Sequence, residues 1–387
     1  MRILAIAPTA FYADYGCHIR IRGQLRALQG AGHEIRLVTY PAGRATSDLA
    51  VTRIPLPFAR TMPVGSSRRK ILLDLLLAPT ALATALRFRP HIIHTYLHEG
   101  ALIGWFIARL LRVPLTADYQ GSLTAEMLDH GFLSPHSRFL RPLRRLECWI
   151  DRRPDILFPS SDAALAQLEQ RTAPRQRLHP LPDAVDPALF SPQPSDPALR
   201  AALGLDSDRP TIVYLGLLAP YQGIDLLLEA AATPPLRDHP AQFLVMGFPH
   251  VARYQNKARK LGLGERVRFT GAIPYSHAPR HLALGDVAVA PKLSATEGSG
   301  KLLPYMSMAL PIVATDTPAH RQYLGGDSIL VGPATAEALA TALVEALSEL
   351  SIWRQGALRL RQKVKERYTW EQTAQTMEAL FRQLLGQ

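Results

Sequence analysis

The segment 286–316 holds the residues whose types and spacing are best suited to chemistry: an acidic and a basic side chain in a loop rich in glycine and serine. It reads DVAVAPKLSATEGSGKLLPYMSMALPIVATD, with Glu297 and Lys301 on either side of Gly298 and Gly300. The glycines let a ligand approach the backbone, the carboxylate accepts hydrogen bonds, and the ammonium supplies positive charge. An apolar strand followed by such a loop and a helix start presents N–H groups to a phosphate or a sugar hydroxyl. An ordinary strand-to-helix connection is the alternative for this segment taken alone.

Polar side chains also follow two neighbouring apolar runs, 92–95 and 115–119, in the first half of the chain. Carboxylates and imidazoles at such strand ends are suited to moving a proton to or from a reacting hydroxyl. Histidine also caps or packs against helices, which is the competing interpretation for each histidine alone. The residues concerned are His98, Glu99, Gln120, Glu126 and His130.

The elements that must position these side chains follow from the hydrophobic pattern. Apolar runs alternate with amphipathic stretches nearly throughout, which predicts parallel sheets joined by right-handed helical crossovers. The predicted strands are Ile3–Ala7, Ile35–Thr39, Ile92–Thr95, Leu115–Tyr119, Ile156–Pro159, Thr211–Leu215, Gln242–Met246, Val267–Thr270, Val287–Ala290, Ile312–Ala314 and Ser328–Val331.

A stretch rich in Pro, Asp and Ala interrupts this alternation and predicts a linker between two domains. The fold class is therefore α/β, with two doubly wound, Rossmann-like domains facing a central cleft and ligands at the strand C-termini. We place an N-terminal domain at 1–185, the linker at 186–209, a C-terminal domain at 210–368, and a helix that crosses back towards the N-terminal domain at 369–387.

Composition and charge limit the compartment and the partners. The chain of 387 residues is 47% apolar, and its two cysteines are too few for a disulfide framework or a zinc site, which predicts a cytoplasmic protein. The net charge of +12 falls mainly in the first 190 residues and favours anionic partners. Nucleic acid is not expected, because no recognition motif accompanies the charge.

One apolar stretch bears on where the protein works. The basic run 68–70 precedes the apolar run 71–86, which contains Asp74 and Pro79 and is not predicted to span a bilayer. Basic residues beside an amphipathic helix are typical of contact with an anionic membrane surface. The sequence therefore predicts peripheral attachment to the inner face of the membrane, with a core helix as the alternative.

Eight short motifs occur in the order found in a known family. They are GAGHEI at 30–35, IIH at 92–94, LPDAVD at 181–186 followed by Phe190, YLG at 214–216, QGIDLLLE at 222–229, VRFTG at 267–271, the Glu297 segment, and YTW at 368–370. On these motifs the chain resembles the retaining glycosyltransferases of the GT-B fold, specifically glycosyltransferase family 4, over nearly its whole length. The resemblance implies transfer of a sugar from a UDP- or GDP-sugar donor to an acceptor hydroxyl, with retention at the anomeric carbon.

Four positions depart from the family's pattern. Leu217 and Gln222 stand where an Arg and a Lys usually grip the donor diphosphate. Pro304 stands where a second Glu usually bonds the nucleotide ribose, and Gln120 replaces a His that contacts the donor sugar. Either other residues substitute for these groups, or the chain no longer catalyses transfer.

The predicted donor site lies at strand ends of the C-terminal domain, joined by the helix start at Gly16. Lys292 and Lys301 are the available substitutes for the missing phosphate contacts. The predicted donor-binding residues are Gly16, Gln222, Gly247, Lys292, Gly298, Ser299, Gly300 and Lys301. The resemblance implies no metal and no other cofactor, because cations and helix N-termini stabilise the leaving diphosphate.

The resemblance also implies that the Glu297 carboxylate bonds donor sugar hydroxyls, while Glu99 or Glu126 relays the acceptor proton. The predicted catalytic set is Glu297, Gln120, His98, Glu99, Glu126 and His130. A lipid-linked or anionic acceptor, in glycolipid or cell-surface polysaccharide synthesis, agrees with the basic N-terminal half. Two alternatives stay open: a non-catalytic GT-B protein that binds sugar nucleotides or serves as a partner subunit, and a sugar-nucleotide epimerase.

Overall fold

The computed structural model of the chain describes residues 1–13, 16–44, 47–56, 68–129, 132–171, 177–294 and 299–387. These residues divide into two units, each with its own six-stranded parallel sheet. The first unit holds the described residues of 1–183 and 370–387, and the second holds those of 184–294 and 299–369.

The first unit has the strand order β3-β2-β1-β4-β5-β6. Its strands are β1 (Arg2–Ala7), β2 (Glu34–Thr39), β3 (Val51–Arg53), β4 (Ile92–Tyr96), β5 (Leu115–Tyr119) and β6 (Ile156–Pro159). Its helices are α1 (Gly16–Gly30), α2 (Arg68–Phe88), α3 (Leu97–Leu111), α4 (Leu123–Asp129), α5 (Leu140–Asp151), α6 (Asp162–Arg171) and the C-terminal α15 (Trp370–Leu384). The register aligns Ala5 of β1 with Leu37 of β2 and with His94 of β4.

Successive side chains of a strand point to opposite faces of the sheet, and both faces of this parallel sheet are covered. Ile3 and Ala5 of β1 belong to the cluster that includes α1 and α15, whereas Leu4 and Ile6 belong to the cluster that includes α2 and α3. The C-terminal helix packs closely on α1: a Cβ added to Gly23 would lie 2.2 Å from a ring carbon of Trp370. The chain end therefore completes the core of the first unit.

The second unit has the strand order β12-β11-β10-β7-β8-β9. Its strands are β7 (Thr211–Leu215), β8 (Gln242–Met246), β9 (Val267–Gly271), β10 (Val287–Ala290), β11 (Ile312–Thr315) and β12 (Ile329–Val331). Its helices are α7 (Pro197–Ala202), α8 (Ile224–Ala231), α9 (Val251–Lys260), α10 (Ala278–Leu282), α11 (Leu302–Ser307), α12 (Pro318–Leu324), α13 (Ala336–Ser348) and α14 (Leu350–Arg367). Two buried clusters, one on each face of the sheet, form its core.

The strands predicted from the apolar runs are all present, with bounds within one residue of those expected. The prediction missed β3, because Val51–Arg53 is short, half-buried and lacks an apolar run. The segment predicted as a linker, 186–209, lies within the second unit. Although this segment is rich in Pro and Asp, its side chains Phe190 and Leu205 are buried and pack into the core of that unit.

Among the described residues, α2 is the one helix whose length and composition would allow it to cross a membrane. The window Lys70–Phe88 has a mean hydropathy of 1.7, yet only 22% of it is buried. The buried part is a single stripe of Leu73, Leu77, Ala81 and Ala85, which packs on the sheet of the first unit. Four large apolar residues of this helix are exposed: Ile71, Leu72, Leu75 and Leu86.

Candidate active site

The strand order of the second unit reverses between β7 and β10, so the loops after these strands leave in opposite directions. Open α/β sheets bind ligands in the crevice outside such a switch point. Here the two loops touch: the Leu293 N–H donates to the Tyr221 carbonyl at 3.0 Å. A Cβ added to Gly223, which has a φ of +75°, would lie 1.8 Å from the Pro291 carbonyl oxygen. Only glycine permits both this backbone conformation and this approach.

Lys301 joins the two loops. Its Nζ donates to Gln222 Oε1 at 2.7 Å and lies 3.4 Å from the Tyr214 hydroxyl. The same Nζ is 4.6 Å from the centre of the Tyr214 ring, and a Cβ added to Gly216 would lie 3.1 Å from it. Gln222 stands where the resemblance expects a lysine. The cation that the loop after β7 lacks is therefore supplied by the loop after β10.

The loop after β8 meets the same place. A Cβ added to Gly247 would lie 2.0 Å from the Gly216 carbonyl oxygen, so a side chain at 247 would push the two loops apart. The Gly216 N–H donates to the Met246 carbonyl at 3.0 Å. The structure thus brings together Gln222, Gly247 and Lys301, three of the residues predicted for the donor site.

Lys292 and Ser299 adjoin a buried histidine of α12, His320. The His320 Nδ1–H donates to the Thr315 carbonyl at 2.6 Å, and Nε2 accepts from Ser299 Oγ at 2.9 Å. Burial lowers the pKa of His320 to about 4, and the charges of Lys301 and Lys292 also lower it. The imidazole is therefore neutral at pH 7. Lys292 is itself only 2% exposed, and its carbonyl accepts from Thr315 Oγ1 at 2.5 Å.

Three predicted residues, Glu297, Gly298 and His130, lie outside the described residues, so their roles stay predictions. Gly300 is exposed and directly precedes Lys301.

The first unit has its own switch point, between β1 and β4. The loop after β1 leads to α1, whose first residue, Gly16, is exposed and has open space where a Cβ would lie. In the first turn of α3, a Cβ added to Gly100 would lie 3.0 Å from both the Ile6 carbonyl oxygen and Pro8 Cδ. The segments after β1 and β4 therefore pack directly against each other.

A buried ion pair fixes the end of β5 in the first unit. Arg20 of α1 donates to both carboxylate oxygens of Asp118, through Nε at 2.8 Å and Nη2 at 2.6 Å, and also donates to Asp183 at 3.0 Å. Burial raises the pKa of Asp118, but the Arg20 charge and hydrogen bonds outweigh it and hold that pKa below its usual value. Gln120 Nε2 donates to Asp118 at 2.9 Å, which leaves Gln120 Oε1 as the accepting end of that amide.

Together with burial, the charge of Glu126 in α4 raises the pKa of the thiol of Cys17, the second residue of α1. Burial raises the pKa of Cys17 to about 12, and the charges of Asp118 and Glu126 raise it as well, against Lys70 and a hydrogen bond with Gln120. Cys17 is therefore a neutral thiol at pH 7 and not a nucleophile. Glu126 and Gln120 thus both lie near Cys17 at the start of α1, and their role on the acceptor side stays a prediction.

His98 and Glu99 are consecutive residues in the first turn of α3. His98 Nε2 lies 3.2 Å from Asp151 Oδ1 of α5, and its ring meets Tyr119 edge to face with centres 5.4 Å apart. Asp74 of α2 has a pKa of about 6, raised chiefly by burial and further by the Glu99 charge. His98 thus contacts α5, whereas the Glu99 charge influences both Asp74 of α2 and His98 itself.

Sequence reasoning missed His320 and the buried ion pair of Asp118. The signal for His320 was available, because Thr317 and Pro318 after an apolar run mark a helix start, and Thr317 Oγ1 does accept from the His320 N–H at 3.2 Å. The signal for Asp118 was an acidic residue within a buried strand, which requires a buried cation as its partner. Nothing in the sequence indicated that this cation would be Arg20.

Two doubly wound parallel sheets, each with a switch point, define the class of the GT-B fold. The solved structures agree: the chain is similar to sucrose-phosphate synthase from Thermosynechococcus elongatus, with a TM-score of 0.84, 20% identity and 100% of both chains covered.

The family models agree with this class. Residues 15–184 match the glycosyl transferase 4-like domain, and residues 209–349 match glycosyl transferases group 1. The chain is 24% identical to alpha-D-kanosaminyltransferase of Streptomyces kanamyceticus, over 86% of this chain and 90% of that protein. It is 38% identical, over 33% of each, to the GDP-mannose-dependent alpha-(1-6)-phosphatidylinositol monomannoside mannosyltransferase of Mycolicibacterium smegmatis. The chain belongs to glycosyltransferase family 4 and is a glycosyltransferase with nucleotide-sugar donors.

Proposed function

We propose that this glycosyltransferase moves a hexose from a UDP- or GDP-sugar to an acceptor hydroxyl, with retention at the anomeric carbon and without a metal ion. The observation that carries the proposal is the 2.7 Å contact between Lys301 Nζ and Gln222 Oε1 at the switch point of the second unit. It places a cation at the position where the family's lysine is missing. The second unit thereby offers positive charge to the donor diphosphate.

In the proposal, Lys292 and Lys301 provide the positive charge that a divalent cation would otherwise provide. Transfer requires that the charge developing on the leaving nucleoside diphosphate be stabilised by groups already in place. Lys292, in the loop after β10, and Lys301, directly before α11, supply that charge. Because these lysines take the role of the cation, we assign no metal and no cofactor to the donor.

The first unit supplies the acceptor side in this proposal. Gln120 Oε1 accepts a hydrogen bond from a substrate hydroxyl in this proposal, while one N–H of its Nε2 donates to Asp118 and orients the amide. Glu126 or Glu99 relays the acceptor proton.

Two further residues serve the donor in this proposal. Glu297 bonds donor sugar hydroxyls. Gly16 adds main-chain N–H groups at the start of α1.

A lipid-linked or otherwise anionic acceptor fits the charge of this chain. The mycobacterial relative is named for transfer to a phosphatidylinositol monomannoside, which is an anionic lipid. We place the reaction in glycolipid or cell-surface polysaccharide synthesis on the cytoplasmic side of the membrane.

The test of the reaction uses purified protein and a panel of UDP- and GDP-hexoses. Calorimetric titration measures donor binding, and release of nucleoside diphosphate measures turnover. Turnover supports the proposal. Binding without turnover would support the non-catalytic alternative that the departures at Leu217, Gln222 and Pro304 favour, and an epimerised donor would support an epimerase.

The outer face of α2 supports peripheral membrane attachment. Ile71, Leu72 and Leu75 are 67%, 62% and 67% exposed, opposite the stripe that packs on the sheet. On the neighbouring helix α3, Phe106 and Leu110 are 60% and 64% exposed. An apolar surface of this kind marks an interaction site, and we propose that its occupant is an anionic bilayer.

Arginines of α5 supply the charge that complements such a bilayer. Trp105 of α3 meets Trp149 of α5 with ring centres 5.1 Å apart, so α5 borders the apolar face. Arg153 stacks on Trp149 at 4.2 Å. A groove beside it is lined by Arg144, Arg145, Cys148, Trp149, Arg152 and Arg153. Each basic residue near an anionic surface contributes about 1 kcal/mol, so salt should weaken the attachment.

Flotation with liposomes tests this attachment. Wild type is expected to float with phosphatidylglycerol vesicles at low salt, less at high salt, and not with phosphatidylcholine alone. Ile71→Glu with Leu75→Glu should abolish flotation, whereas Leu358→Glu, at a site 60% exposed on α14 of the second unit, should not. Flotation that survives the α2 substitutions, or a dimer dissociated by them, would contradict the proposal.

A further inference from the structure

A second group of charged side chains in the first unit, three of them buried and the fourth, Arg171, 21% exposed, has no place in the donor site. It consists of His98 of α3, Glu147 and Asp151 of α5, and Arg171 at the end of α6. His98 Nε2 lies 3.2 Å from Asp151 Oδ1 and 3.8 Å from Glu147 Oε1, and Arg171 Nη1 donates to Glu147 Oε1 at 2.9 Å. His98, Glu147 and Asp151 are 8%, 0% and 3% exposed. These four residues are called the buried quartet below.

The quartet reaches the start of α4 through Glu147. Glu147 Oε2 accepts from Thr124 Oγ1 at 2.5 Å and from the Thr124 N–H at 3.3 Å. Beside it, Ser122 Oγ accepts from the Ala125 N–H at 3.2 Å. These contacts satisfy N–H groups that a helix start leaves without partners, and α4 is the short helix that carries Glu126. One buried carboxylate thus joins α3, α4, α5 and α6.

The charges of the quartet balance when His98 is protonated, since two cations then face two carboxylates. Burial lowers the pKa of His98, but the hydrogen bond and charge of Asp151 and the charges of Glu147 and Glu99 raise it above its ordinary value. The ligand atoms of His98, Glu147 and Asp151 lie within 4.8 Å of one another, a spacing that would also suit a metal ion. A divalent ion would require a neutral His98 and would add to the charge of Arg171, leaving an excess of buried positive charge.

We propose that the buried quartet is a positioning network for glycosyl transfer: Glu147, held by Arg171 and by His98, which Asp151 in turn holds, fixes the start of α4 and with it Glu126. In this assignment His98 acts through Glu147 and does not touch substrate. The inference rests on the proposed role of Glu126 as a proton relay.

The test exploits the balance of charge. His98→Gln leaves one carboxylate in excess, Asp151→Asn leaves one cation in excess, and the double variant restores neutrality. Hydrogen–deuterium exchange of the amides of 122–129 measures the anchoring of α4 whether or not the enzyme turns over. Release of nucleoside diphosphate gives kcat and the donor KM, and calorimetry with UDP and GDP reports on the second unit. Glu378→Gln, which breaks a surface pair with Arg382 in the same unit, is the matched control.

Each single variant is expected to speed exchange in 122–129 by about tenfold or more and to lower kcat with donor KM and nucleotide affinity unchanged. The double variant should recover most of both losses, and Glu378→Gln should change neither. Unchanged exchange in the single variants would overturn the anchoring, and fast exchange with unchanged kcat would overturn its role in transfer. A double variant worse than either single, or exchange slowed by adding Zn²⁺ to wild type, would make the quartet a metal site instead.

Discussion

The two units repeat one topology but arrange their charged side chains differently. At the switch point of the second unit, Lys301 bridges two loops through the Gln222 amide and the Tyr214 hydroxyl, and the charge of Lys292 lies nearby. Near the switch point of the first unit, Arg20 is paired with Asp118 and Asp183. The same unit also holds the charge-balanced buried quartet.

This difference suits the two units to different roles in glycosyl transfer. A site for a diphosphate needs positive charge, which lysine side chains supply. A site that must hold hydroxyl-bearing groups at fixed distances gains from a rigid neutral network, because a misplaced group costs rate. In the proposed function, the second unit therefore binds the donor and the first provides the framework for the acceptor.

The largest expected effect tests the framework. Arg20→Met would leave the Asp118 carboxylate buried without its cation, so the free energy of unfolding should fall by about 3–5 kcal/mol in urea titrations. Arg22→Met, on the same helix, removes a half-exposed pair with Asp48 and should cost about 1 kcal/mol or less. Equal losses for the two variants would contradict the distinction between a buried network and a surface pair.

The next largest effect concerns turnover. Glu297→Gln should lower kcat by about two orders of magnitude if the carboxylate makes a charged hydrogen bond to the donor sugar. Glu265→Gln, an exposed residue of the second unit, is the control and should leave kcat unchanged. An unchanged rate for Glu297→Gln would remove this residue from the site.

A smaller effect tests the donor side by affinity. Lys301→Ala should weaken binding of UDP and GDP by about tenfold or more, because a charge-assisted hydrogen bond to the diphosphate is lost. Lys257→Ala is the matched control, since Lys257 is already paired with Asp225 and Glu229 away from the two loops. If calorimetry gave the same affinity for Lys301→Ala as for wild type, the diphosphate would be held elsewhere.

The smallest effect is a pH dependence of stability. Because the pKa of His98 is raised in the folded state, its ion pairs stabilise fully below about pH 6.5, its ordinary pKa, and are lost as pH rises through the folded value. The carboxylates facing it, Asp151, Glu147 and Glu99, must stay ionised, and the pKa of Glu147 is lowered from 4.5. The stability difference between wild type and His98→Gln should therefore be largest near pH 5–6 and narrow towards pH 9. A stability difference that widened as pH rose would contradict a raised pKa of His98 in the folded state.

The sequence predicted the strands well, because parallel strands buried on both faces form unbroken apolar runs. It also placed Lys301 and Gln222 in one set, and the two side chains do contact each other, since loops after β7 and β10 must meet at the switch point. It did not predict the partners of single side chains. His98 and Glu99 are adjacent in sequence, yet one contacts α5 and the other acts on α2, which depends on helix packing. Glu147 and Asp151 of the arginine-rich α5 were not predicted as buried charges, because burial of a charge is decided by tertiary contacts.

The proposed donor chemistry is tested most directly by ¹H NMR of the purified protein acting on an α-linked UDP- or GDP-hexose with water or a sugar acceptor. The account predicts that the first product is the α anomer, that its appearance does not depend on EDTA or added Mg²⁺, and that Lys301→Ala needs more donor to form it. A β anomer as first product, a requirement for a divalent ion, or an unmodified donor across the whole panel would contradict it.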